Sequence, residues 1–128
     1  EEVDNCRPFF IGLLGERYGW SPRKDDLGRL APTLLQHYAW LEKDLEDGVS
    51  ITEMEMQYAA LRNSDIKYAN FYLRKPDMKV ADEFKEPAGS AAAIKLDKLK
   101  KKILNQPKYP SLGGSEMCIR YRPSNWIN

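Results

Sequence analysis

Two glutamates, Glu53 and Glu55, sit in Ser50-Ile51-Thr52-Glu53-Met54-Glu55-Met56 and are the carboxylates best placed to do chemistry. A carboxylate at the margin of an apolar helix face acts as an acid or base when burial raises its pKa. Paired with an arginine, it does nothing chemical. The duty of each depends on where the helix starts. With Ser50 as N-cap, Glu53 closes a capping box and Val49 packs on Met54; with Thr52 as N-cap, Glu55 closes the box and Ile51 reaches Met56. Ile51, Met54, Tyr58 and Leu61 form one stripe at helical spacing, which sets Glu53 on the far side and Glu55 beside the stripe. Glu55 is therefore the candidate catalytic residue, with Arg17 and Arg62 available to neutralise it.

A second set of candidates follows the apolar run Phe9-Phe10-Ile11-Gly12-Leu13-Leu14. The run lacks alternation, which predicts a strand covered on both faces, as in a parallel sheet between helices. Pro8 at its start and Gly12 inside it fit a strand better than a helix. Ligands of open parallel sheets sit beyond the carboxyl ends of the strands, so Gly15, Glu16, Arg17, Tyr18 and Trp20 occupy the expected place of a binding site. A structural turn whose Tyr18 and Trp20 cap the core explains the same residues. Tyr68 to Arg74 reads as the next strand and delivers Arg74, a candidate anion partner, to the same edge.

The run Asp4 to Trp20, DNCRPFFIGLLGERYGW, resembles the signature of a TIR-related domain of unknown function that precedes NACHT-type NTPase modules, as in nephrocystin and the telomerase-associated protein component. Tyr38-Ala39-Trp40-Leu41 with Ser50 to Glu55, and Phe71-Tyr72-Leu73-Arg74 with Pro76, are similar to the family in the same order. The resemblance covers residues 1 to 104. It implies a flavodoxin- or TIR-like three-layer α/β sandwich with a short parallel sheet, and a regulatory, protein-binding role in a large cytoplasmic signalling NTPase. It also implies an alternative, hydrolysis of NAD, since Glu55-Met56-Gln57-Tyr58-Ala59 is similar to the glutamate helix of TIR enzymes that cleave NAD. The Trp-Cys pair usual before that glutamate is lacking. NAD would be a substrate, and no cofactor is implied. By the family pattern the chain is a fragment whose missing part holds the first strand, its loop, the first helix and the second strand.

Composition narrows the classes further. The chain has 128 residues, 42% of them hydrophobic, enough for one domain and its core, and no apolar run spans a bilayer. Its acidic opening is unlike a signal peptide. Cys6, Cys118 and the single His37 have no metal-ligand spacing, and two cysteines without a secretory signal predict an intracellular setting. No GxxxxGK[ST] run is present. Residues 1 to 64 carry seven Lys and Arg against twelve Asp and Glu, a balance of −5, and residues 65 to 128 carry thirteen against seven, or +6. Much of that excess lies in Lys95 to Lys102. It reads as the solvated face of an amphipathic helix or as an RNA-binding patch.

The remaining elements follow from their punctuation. Ser21 to Gly28 is a polar connector, a helix spans about Thr33 to Leu45, and Asp47-Gly48 ends it. Met78 to Gly89 predicts a loop with a short helical turn at Ala81 to Phe84, and Ser90 caps a helix through Leu104. Residues 105 to 128 have neither stripe nor sustained alternation. They are expected to be irregular and foreign to the native sequence, so Cys118, Arg120, Arg122 and Trp126 receive no functional weight.

Overall fold

A computed structural model describes residues 2–5, 9–62, 68–74, 79–105 and 118–121. In chain order these form α1 (Glu2–Asn5), β1 (Phe9–Leu14), a 3-10 helix (Lys24–Leu30), α2 (Ala31–His37), α3 (Trp40–Glu46) and α4 (Ile51–Met56). A π-helical turn (Gln57–Leu61) continues α4, and β2 (Tyr68–Arg74), a 3-10 turn (Asp82–Phe84), α5 (Ala91–Leu104) and β3 (Cys118–Tyr121) follow. The fold is α/β. β1 and β2 are parallel, with Phe9 opposite Tyr68 and Leu14 opposite Leu73, and β3 adds to the far side of β2 in the antiparallel sense. The strand at 118–121 corrects the expectation of an irregular tail, while Arg122 and Trp126 lie outside the described residues. β2 offers a backbone edge that a short segment can pair with whatever its side-chain pattern.

The register puts Phe10, Gly12 and Leu14 of β1 on the same face as Ala69, Phe71 and Leu73 of β2. Leu96, Leu99 and Ile103 of α5 and Met56 and Ala60 of the α4 unit pack on that face, with Tyr18 among them. Each large side chain buried there contributes roughly 1.5–3 kcal/mol. Gly12 is required by this packing, since a Cβ there would sit 2.7 Å from Phe71 Cδ1 and 3.3 Å from Met56 Cε. A side chain, rather than a neighbouring backbone, explains the glycine.

The other face of β1 departs from expectation. Phe9, Ile11 and Leu13 are 63%, 65% and 70% exposed, so the run is buried on one face only. Absent alternation reflected a strand apolar on both faces, not a strand covered on both. β1 is also the outer strand in the order β1-β2-β3. Beside the exposed row, Asn70, which pairs with Ile11 across the register, has a buried side-chain oxygen with no partner among the described residues.

A second core joins Leu41, Leu45 and Met54 with Leu34, Leu35, Tyr38, Trp40 and Val49 around them. The helix expected over 33–45 breaks at Tyr38, whose ring meets Tyr58 edge-on at 5.7 Å and whose hydroxyl donates to Asp4 at 3.4 Å. Those contacts outweigh continuity of the helix. Trp40 stacks on Tyr58 at 5.3 Å, which fixes α3 against the π turn. Asp44, buried in α3, accepts two hydrogen bonds from Arg62 at 3.2 and 3.3 Å. The connector expected over 21–28 is helical from Lys24, where Asp26 accepts from the Arg23 N–H at 2.6 Å.

Candidate functional site

α4 settles the choice of cap. Ser50 Oγ accepts from the Glu53 N–H at 3.2 Å, the first half of a capping box. The second half is altered by Tyr18. Its hydroxyl accepts from the Ser50 N–H at 3.2 Å and donates to Glu53 Oε2, so a phenol is inserted between cap and carboxylate. Burial, then the hydrogen bond to Glu53, pushes the Tyr18 hydroxyl up to about 12. Glu53 also accepts from Gln57 Nε2 at 3.4 Å, and Lys102 Nζ donates to Gln57 Oε1 at 3.0 Å. A polar chain therefore runs from the turn after β1, through α4, to α5.

This arrangement reverses the expected burial of the two glutamates, which put Glu53 on the far side of the helix and Glu55 beside the apolar stripe. Glu53 is half-buried and bonded, whereas Glu55 is exposed on α4. The wheel assumed one apolar face, but Met54 faces the helical core and Met56 the sheet core. Burial on two sides leaves Glu55 outside both, and Ile51, assigned to the stripe, is 38% exposed. The π turn, closed by the Arg62 N–H on the Gln57 carbonyl at 2.8 Å, then shifts the positions beyond it.

The turn from Gly15 to Trp20 is pinned from three directions. Glu86 reaches it from the segment before α5: its N–H donates to the Glu16 carbonyl at 3.0 Å, and its Oε1 accepts from the Tyr18 N–H at 2.8 Å. Arg17 Nε lies 3.3 Å from the same Oε1, and an Arg17 terminal N–H donates to the Glu83 carbonyl at 2.9 Å. From α5, Lys100 Nζ meets Glu16 Oε1 at 3.0 Å. From α4, the Ile51 N–H donates to the Trp20 carbonyl at 3.0 Å. Gly19 has φ +94°, and a Cβ there would crowd Thr52 Oγ1 at 3.2 Å. Here the glycine serves both chain direction and close approach.

Between the turn, Lys85-Glu86 and α5 lies a cavity of about 330 Å³ lined by Glu16, Lys85, Glu86, Ala93, Leu96, Asp97 and Lys100. Of the sequence candidates only Glu16 lines it. Tyr18 is core, Trp20 is 64% exposed, and Arg74 is half-buried at the end of β2. Gly15 has open space at its Cα. The other wall residues came from stretches read as loop or solvated face. The signal lay in α5, where Lys100 follows Leu96 by four and precedes Ile103 by three, so it shares their inward face.

The lysine helix is correspondingly less free than its charge suggests. Lys95 Nζ donates to the carbonyls of Asp47 and Gly48 at 2.7 and 2.8 Å, Lys100 and Lys102 are bonded as above, and Lys101 pairs with Asp97 at 2.7 Å. Among the described residues no three His, Cys, Asp or Glu side chains converge as metal ligands, and no helix is long and apolar enough to cross a membrane.

No family model matches the chain, and no solved structure matches it. It is similar to a TPR repeat-containing protein of Dictyostelium discoideum, 32% identical over 121 residues that cover 84% of this chain and 7% of that protein. The chain thus spans a small fraction of that relative's length. Its parallel strand pair is unlike the helix-turn-helix unit of a TPR.

Proposed function

We propose that this chain is an interaction module within a larger polypeptide, and that the outer face of β1 is its contact surface. The observation that carries the reading is the exposed row Phe9, Ile11 and Leu13 on a strand paired in parallel. Parallel strands are otherwise found covered on both faces, and contiguous apolar patches on soluble chains mark contacts. The occupant we assign is a helical layer of the same longer polypeptide, which would complete a flavodoxin- and TIR-like three-layer sandwich. It would also bring a donor to Asn70 Oδ1. The similarity to a short part of a TPR repeat-containing protein supports a multidomain setting, since repeat arrays present extended binding surfaces. For the parent we propose a large NACHT-type signalling NTPase, on the strength of the three ordered motifs. Protein contacts controlling its assembly are the function.

The test is the double substitution Ile11→Lys and Leu13→Lys. In the isolated chain the thermal midpoint should barely move, as for surface positions, within about 0.5 kcal/mol. In the longer polypeptide the same pair should lower stability by several kcal/mol, since it buries unpaired charge. Equal small effects in both contexts would contradict the reading. NAD cleavage at Glu55 gains nothing from the geometry, because the residue is exposed on α4 and does not line the cavity. Nicotinamide release by the longer polypeptide that Glu55→Ala abolished and Glu53→Ala spared would reinstate it.

A further inference from the structure

We propose that the cavity at the carboxyl end of β1 binds a small zwitterion of the α-amino acid class, a ligand input distinct from the sheet-face contact. Glu16 and Lys100 hold side chains only 25% and 20% exposed on its wall. Among the described residues their side chains share one hydrogen bond, Lys100 Nζ to Glu16 Oε1 at 3.0 Å. An ammonium offers three donors and a carboxylate about four acceptor sites, so both keep capacity beyond that bond. Drawing a charge partly away from water is unfavourable unless its bonds are replaced. A ligand carrying one carboxylate and one ammonium replaces them on both partners at once.

The charge pattern selects this class over others. Lys85 and Lys100 stand against Glu16, Glu86 and Asp97, so a phosphate or nucleotide would face carboxylates and a simple cation would face lysines. Glu86 is already committed to Arg17 and the Tyr18 N–H, and Asp97 to Lys101 at 2.7 Å, which leaves Glu16 for the ammonium and Lys100 and Lys85 for the carboxylate. Leu96 and Ala93 supply an apolar wall for a short aliphatic side chain. The volume, about 330 Å³, lies at the lower end of small-molecule sites. The place, beyond the end of a parallel strand, is where open α/β sheets take ligands.

The experiment is a titration of the chain with L-valine, N-acetyl-L-valine, L-valinamide and inorganic phosphate, followed by backbone amide resonances. Saturable shifts at Glu16, Glu86 and Lys100 are expected with valine. N-acetyl-L-valine, which lacks the ammonium, and L-valinamide, which lacks the carboxylate, should bind about tenfold or more weakly, as should phosphate. Lys100→Gln and Lys85→Gln should each weaken valine; Lys85, 43% exposed, can be changed without unfolding if Lys100 cannot. Absence of saturable shifts with valine, equal binding of the blocked derivatives, or preference for phosphate would overturn the proposal.

Discussion

A Cβ on Gly12 would meet the Phe71 ring at 2.7 Å, and that ring is fully buried. Gly12→Ala should therefore cost about 1–3 kcal/mol by overpacking, measured by denaturant unfolding, although alanine has the better strand propensity. Tyr18→Phe removes the hydroxyl between Ser50 N–H and Glu53 and should cost a similar amount, about 1–3 kcal/mol. It should also change the alkaline response. With the hydroxyl raised from 10.0 to about 12, folding favours the protonated phenol. That stability is fully present below pH 10 and is lost as pH rises through 12. Tyr18→Phe should flatten this limb of the stability profile, seen as a smaller difference between the two ends of that window. At this scale the sequence disclosed the residue types but not their pairings. Tyr18 and Trp20 looked equivalent, yet one is core and the other 64% exposed, because the chain direction at Gly19 decides which ring turns inward.

Among elements, β1, β2 and α5 were legible because their signals are local. An apolar run, an aromatic run and a Ser90 cap gave the observed bounds, and Ser90 Oγ does accept from the Ala93 N–H at 3.1 Å. α4 was legible in its start but not its faces, since clasping between two cores depends on partners distant in sequence. The break at Tyr38 was hidden for the same reason: it answers to Asp4 and Tyr58. The lysine helix yields a prediction that separates its two readings. Lys95→Ala removes an ammonium from the carbonyls that end the Asp47-Gly48 turn and should destabilise the α3–α5 junction by about 1.5–3 kcal/mol, visible as faster amide exchange in α3. Neutralising Lys100 and Lys102 together should lower the thermal midpoint. An RNA patch would instead lose salt-sensitive RNA binding with stability intact.

For the molecule as a whole, the sequence revealed an α/β fold with a parallel pair, and the absence of alternation in Phe9 to Leu14 supplied the idea of covered faces. What that pattern did not contain is that one face of β1 stays exposed in this chain while the other carries the core. An apolar residue has the same signature whether its cover comes from this chain or from elsewhere. The measurement that tests this most directly is thiol labelling of Ile11→Cys, with Cys6 and Cys118 replaced, in this chain alone and in the longer polypeptide. Rapid labelling is expected in the isolated chain and a slowing of about tenfold or more in the longer polypeptide, corresponding to at least ~1.4 kcal/mol of protection. Equally rapid labelling in both would show that nothing covers the face, and would contradict the interaction-module reading.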